Sequence, residues 1–210
     1  MAYIDVVQGT DVWLEYRAPL LSASVAAPAA GLKGAYSSRN KCWEEYMGKK
    51  KEVTSFMQFG TDHEQDAKHD GETAIGSLSH DVGIYIHPDH DWLGASPDGL
   101  FIGLGLHEIK CRDTEPYAGI SSQHMAQIQV QLACAEEVKC VYQSWTPLEQ
   151  RIWIVEYSPE YWACLFPLLE EFWEYVSSKT KPPQVRPRRV IPVEPTTTLF
   201  YEGAHDGVRT

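Results

Sequence analysis

The sequence predicts a mixed α/β domain in which helices flank one central mixed β-sheet. Three observations predict it. Helical periodicity dominates to about residue 74, short alternating apolar runs broken by Gly, Pro and Asp fill residues 82–111, and helix and strand patterns then alternate to about residue 176. With 210 residues and 43% hydrophobic content the chain can bury a core, so a single domain over residues 1–180 is expected.

Asp11 can cap a short helix carrying Trp13, Leu14 and Arg17, and Ser24 a second one through Ala30. Ser37 or Ser38 opens a third, running to about Met47 with Cys42, Trp43 and Tyr46 at helical spacing. From Phe56 to about Ala74 helical polar periodicity persists, weakened by Gly60 and Gly71, and brings Glu64 and Ala67 onto one face. VGIYIH, WLGAS, GLFIG and LHEIKC then read as a β-meander over residues 82–111. The next helix, from about Ser121 to Ala135, has Met125, Ile128 and Leu132 as its apolar stripe. VKCVYQSW and QRIWIVEY give two more strands, and Pro159 to Val176 a final amphipathic helix. Beyond Lys181, the prolines Pro182, Pro183, Pro187, Pro192 and Pro195 forbid regular helix or central strand. Residues 181–210 are therefore expected to form an extended arm, mobile or laid against a neighbouring subunit.

No stretch approaches the ~20 apolar residues that span a bilayer, and Met1 to Gly9 lacks the build of a signal peptide. A soluble, intracellular (cytoplasmic) protein without a membrane partner is expected. Cys42, Cys111, Cys134, Cys140 and Cys164 are scattered without C-x-x-C pairs, so they read as reduced thiols rather than a zinc or iron–sulfur cluster. His87-Pro88-Asp89-His90-Asp91 reads as a polar turn, not a zinc site. The net charge of −11 opposes binding to a polyanion in general. Local basic runs can still guide one: Lys49-Lys50-Lys51, and Lys179, Lys181, Arg186, Arg188 and Arg189. The same runs serve equally well as solvated surface.

The chemistry concentrates between Ser96 and Cys111. Ser96-Pro97-Asp98-Gly99 and Leu106-His107-Glu108-Ile109-Lys110-Cys111 read as adjacent strands joined by a glycine-containing turn. Period two puts Glu108 and Lys110 on one face, where Asp98 from the neighbouring strand can meet them. Two carboxylates and a main-chain carbonyl, that of Ile109, make a hard oxygen site suited to Mg²⁺ or Mn²⁺. Lys110 beside it can orient or help deprotonate an attacking water and offset charge on a phosphate, as phosphodiester hydrolysis requires. A salt-bridged hairpin on an exposed sheet face would show the same pattern. A cysteine hydrolase built on Cys111 and His124 lacks a base that the sequence places beside the thiol.

The ordered set QGTDVWLEYR, LSAS, FGTDHEQDA, GASPDGL, HEIKC and HMAQIQ, from about Gln8 to Val176, resembles the YqaJ-like viral recombinase family. These are alkaline exonucleases of the bacteriophage lambda type, within the PD-(D/E)xK nucleases. The resemblance implies a restriction-endonuclease-like core over residues 1–180 and an Mg²⁺-dependent deoxyribonuclease, with Mn²⁺ as a substitute. It implies that Asp98, Glu108 and the Ile109 carbonyl bind metal and that Lys110 acts on the nucleophilic water. Glu64 matches the family's helix-borne glutamate, and Gln127 a glutamine that positions water or the scissile phosphate. Arg17, Ser24 and Ser96 match residues that hold a terminal 5′-phosphate. The implied activity is 5′-to-3′ digestion of one strand of linear double-stranded DNA, exposing 3′ single strands for a single-strand annealing protein. The implied assembly is a homotrimeric ring. An endonuclease with the same core, or a non-cutting DNA-end-binding recombination module, is the alternative. His124 departs from the family's aromatic residue before MAQ, and Asp89 or Asp91 replaces a further acidic residue only loosely.

Overall fold

The protein is described from a computed structural model over residues 2–50, 53–186 and 188–205. Lys51 of the basic run, Pro187 of the proline cluster and residues 206–210 of the expected arm lie outside the described residues.

The N-terminal part contains β1 (Ala2–Ile4), α1 (Asp11–Arg17), β2 (Leu21–Ser22), a 3-10 turn (Ala23–Val25), α2 (Ala26–Ala30) and α3 (Arg39–Tyr46). Thr10, not Asp11, caps α1 by accepting from the Trp13 N–H. Asp11 instead sits in the first turn, where a carboxylate suits the positive helix end. Ser24 caps no helix; it lies inside the 3-10 turn and its hydroxyl accepts from Arg17. Ser38 caps α3 through the Lys41 N–H.

The chain continues through α4 (Ser55–Ile75), β3 (Ser79–His80), β4 (Ile84–His87), β5 (His90–Ala95), β6 (Gly99–Phe101) and β7 (Gly105–Cys111). It ends with α5 (Ser122–Ala135), β8 (Lys139–Trp145), β9 (Glu149–Glu156), α6 (Pro159–Ser177) and β10 (Thr197–Ala204). The class is mixed α/β, as the sequence predicts, but the strands form two mixed sheets rather than one. Their orders are β1-β4-β5-β2 and β10-β9-β8-β7-β6-β3. The expected meander over 82–111 is thereby divided. β4 and β5 belong to the smaller sheet, and the chain crosses to the larger one at Ser96-Pro97-Asp98. Pro97 has no N–H with which to extend β5. Gly99 then comes so close to β3 that a Cβ there would lie 2.2 Å from Ser79 Oγ.

α5 lies between the two sheets, touching β4 and β5 on one side and β7 and β8 on the other. It is buried almost all round, glutamines included. α4 covers the opposite face of β7, where Ala67 packs with Ile109, Cys111 and Trp145. Gly71, a weak helix residue, lets α4 come close to β8: a Cβ would lie 2.6 Å from Gln143 Oε1. The amide of Gln143 donates to Ala67 O at 2.7 Å and accepts from His107 Nε2 at 2.9 Å in the His107 tautomer that carries that proton.

The expected arm is laid along its own chain, not free of it. Arg189 N donates to Gly31 O and Lys33 N to Arg189 O. From Thr197 the chain forms β10, antiparallel to β9 at the sheet edge. Pro195 is the last proline, so every residue of β10 has an N–H to donate.

Candidate active site

β7 and the Ser96-Pro97-Asp98 crossing place the acidic cluster. Alternation along β7 turns Ile109 and Cys111 toward α4 and sends Glu108 toward α5. Glu108 is 1% exposed, and its carboxylate is held from three sides. Gln127 Nε2 donates to Oε1 at 2.6 Å, Lys110 Nζ donates to the same oxygen, and Gln131 Nε2 donates to Oε2. Asp98 Oδ2 accepts from the Ile109 N–H at 2.6 Å, which ties the crossing to β7. The Lys110–Glu108 pair thus exists, but at a buried carboxylate and not on an exposed hairpin.

Charge is crowded here. Burial, then the charges of Glu108 and Glu64, hold the Asp98 carboxyl well above the ordinary carboxylate range, against the pull of Lys110 and the Ile109 N–H. Burial and the charge of Glu108 likewise raise Glu64 of α4, so it shares the field of this cluster. Burial alone would lower Lys110; the charges of Glu108 and Asp98 outweigh it and raise it, leaving an ammonium.

The Asp98 shift has a stability consequence. A carboxyl whose folded pKa exceeds its unfolded value of ~3.9 binds its proton more tightly when folded. Its contribution is full below the unfolded value and is lost as pH rises through the folded one. Asp98 in EDTA is therefore expected to contribute a progressive fall in melting temperature as pH rises from about 4 through that window. Asp98→Asn should flatten this slope and raise the neutral-pH Tm by about 2–4 °C for each kcal/mol relieved. Identical Tm profiles for the two proteins would refute it.

A second group lies around α1. Arg17 Nη2 donates to Ser22 Oγ at 2.7 Å and Ser24 Oγ at 2.9 Å, and its guanidinium stacks 4.8 Å over the Trp13 ring. Trp13 Nε1 donates to Ser96 Oγ at 2.9 Å, and Ser96 donates onward to Gly83 O at 2.9 Å. Arg17, Ser22 and Ser96 line one small cleft. The three residues singled out from sequence are thus brought together, and Ser96 Oγ directs its proton at the backbone.

Sequence reasoning missed Gln131, Ser22 and Trp13. Gln131 carried a signal, because it stands four residues after Gln127 and four residues make about one helical turn. His124 Nδ1 meets Tyr142 Oη at 2.6 Å, and burial and the charge of Lys110 push its imidazole down to about 3. Burial, with the charges of Asp98 and Glu64, pushes the Cys111 thiol up to about 12. Neither property suits a thiolate–imidazole pair. His87 stacks on Trp162 at 5.5 Å and His90 on Phe166 at 4.4 Å, so these rings serve packing, with Asp89 and Asp91 outside it. No helix among the described residues is long and apolar enough to cross a membrane.

Among solved structures, the chain is similar to the alkaline exonuclease LHK-Exo from Laribacter hongkongensis. The TM-score is 0.70 at 25% identity, over 81% of this chain and 94% of that one. It is similar to LHK-Exo in complex with dAMP at a TM-score of 0.68 and 23% identity, over the same shares of each chain. Among curated protein sequences none matches. The sequence profile of the YqaJ-like viral recombinase domain matches residues 12–138, a span that holds Arg17, Ser24, Glu64, Ser96, Asp98, Glu108, Lys110 and Gln127. With that profile covering more than half of the 210 residues, the chain belongs to the YqaJ-like viral recombinase family.

Proposed function

We propose that the chain is a divalent-metal-dependent exonuclease acting inside the cell. It would digest one strand of linear double-stranded DNA from the 5′ end and leave 3′ single strands for an annealing partner in recombination. The observation that carries this reading is the buried Glu108 carboxylate, clamped by Lys110, Gln127 and Gln131 beside Asp98, in a fold shared with an alkaline exonuclease.

The donor set suits a hard divalent cation. Asp98, Glu64 and Glu108 crowd negative charge into a partly dehydrated space, which raises two of the three carboxyls and favours a cation there. Among the described residues, no three His, Cys, Asp or Glu side chains stand close enough to enclose a metal by themselves. Asp98, Glu108 and the Ile109 carbonyl would hold Mg²⁺, or Mn²⁺ in its place. When bound, the ion supplies Lewis acidity toward the phosphate and lowers the pKa of water.

The remaining work falls to side chains. Lys110, held as an ammonium by the charges of Glu108 and Asp98, would hold the attacking water and offset charge on the phosphate. Glu64, with its raised carboxyl, is better suited to receive the water's proton. Gln127 and Gln131 fix the Glu108 carboxylate so that little reorganisation is needed.

Two measurements test the reading. End-labelled linear duplex should be shortened progressively from its 5′ ends once Mg²⁺ is added, while covalently closed circles survive. Rapid cutting of circles would favour an endonuclease, and bound but uncut linear DNA a non-cutting end-binding module. Assembly as a homotrimeric ring would let an acidic chain stay on DNA through enclosure rather than through many phosphate contacts. Light scattering should then show an oligomer, and a monomer that still digests processively would refute the ring.

A further inference from the structure

α4 carries Glu64 to the acidic cluster, yet little apolar packing holds the middle of this helix in place. Of its 21 residues, Ala67, Lys68 and Gly71 are buried, and none of them has a large hydrocarbon side chain. Bulkier apolar residues pack near its two ends, Phe59 against the Ala67 cluster and Ile75 against Phe101, Val141 and Ile152. A helix with so few knobs in its middle turns is free to slide or roll on the sheet unless something else fixes it.

Two buried glutamine amides supply that constraint. Gln143 of β8 donates from Nε2 to Ala67 O at 2.7 Å, and Gln150 of β9 donates from Nε2 to Asp70 O at 2.9 Å. A helix carbonyl has a second lone pair, so it can accept such a bond without giving up its place in the ladder. Gln143 is itself held from its other sides. Its Nε2 also donates to Gln150 Oε1 at 2.5 Å, and its Oε1 meets His107 Nε2 at 2.9 Å. His107 in turn meets Ser79 Oγ at 3.0 Å through Nδ1. Exchanging the amide's oxygen and nitrogen would set one acceptor against two others, so the Gln143 orientation is fixed. Gly71 leaves room for this amide.

The geometry points to Gln143 as a positioning residue, which by holding the Ala67 carbonyl sets the place of Glu64 against Asp98 and Glu108. The inference rests on the nuclease reading above, in which Glu64 receives a proton from the attacking water. Its partners are Ala67, Gln150 and His107, so Gln143 acts through α4 and not on the reacting atoms. Glu64 stands about one helical turn before Ala67, and a shift of that carbonyl is passed on to it. A misplacement of ~1 Å can cost ~10²-fold in rate.

The test is single-turnover digestion of end-labelled duplex with Mg²⁺ by four full-length chains: the parent, Gln143→Leu, Glu64→Gln and the double variant. Gln143→Leu is expected to lower the maximal rate about tenfold or more and to leave the half-saturating duplex concentration within about twofold. In the Glu64→Gln background the same change should cost less than about twofold, because misplacing a group already removed loses nothing further. Gly71→Ala gives a second route. Its Cβ must push aside either the helix or the Gln143 amide, and it carries the test if Gln143→Leu melts early, since alanine is the better helix former. Equal losses in both backgrounds would make the network a general brace and overturn the proposal, as would parental rates in Gln143→Leu and Gly71→Ala. Parental digestion by Glu64→Gln would also overturn it while leaving the nuclease reading standing. A parent that digests nothing refutes that reading first and takes this proposal with it.

Discussion

Glu108→Gln is expected to leave the fold intact and slow DNA digestion by about 10²–10³-fold, the range for removal of one preorganised electrostatic group from an active site. The substitution keeps shape and volume. It removes the charge on which Lys110, Gln127 and Gln131 converge, and with it the contact that helps keep Lys110 protonated. Asp98→Ala should abolish cutting for a related reason, since Asp98 also ties the crossing segment to the Ile109 N–H. Lys110→Ala should separate the roles, with cation affinity largely retained and the rate lost. Single-turnover digestion of end-labelled duplex, with calorimetric titration of Mg²⁺ and a thermal melt for each variant, distinguishes these outcomes. Near-parental digestion by Glu108→Gln or Asp98→Ala would show that the site is wrongly assigned.

The second large effect concerns the DNA end. Arg17→Ala should lower digestion of 5′-phosphorylated ends by about tenfold while reducing that of 5′-hydroxyl ends much less. The guanidinium is already oriented, by Ser22 and Ser24 on one edge and the Trp13 ring on its face, so little side-chain entropy remains to be lost on binding. Burial lowers its pKa, against the opposing influence of Tyr46 and Tyr36, yet an arginine stays charged at any working pH. A terminal phosphate carries nearly one more negative charge than an internal diester, and this cleft should discriminate on that difference. Four rates are needed, two enzymes on two ends at one salt concentration, because phosphate contacts are screened. Equal losses on both ends would make Arg17 a general contact or a brace for α1.

Local chemistry accounts for what the sequence determined unaided. Hydroxyl caps at Ser38 and Ser121, the proline at the start of α6 and the period-two alternation of β7 each depend on neighbours within a few residues. Glu108 and Lys110 could therefore be assigned to one face from their spacing. Asp98 could be brought to that face as a carboxylate on the neighbouring strand, whereas Glu64 and Gln127 lie on separate helices, and only the order of six motifs tied them to it. Tertiary structure decided the rest. The division of residues 82–111 between two sheets depends on Gly99 meeting β3 and on β5 pairing in parallel with β2, some 70 residues earlier in the chain. Gln131 became a partner of Glu108 because α5 is enclosed between those sheets, where a buried amide must find a partner. Ser22 joined Arg17 through a turn whose form depends on packing rather than on a cap. The arm's last segment read only as the end of a proline-rich tail; it became β10 because β9 offered an unpaired edge, and pairing across some 45 residues leaves no mark in local sequence.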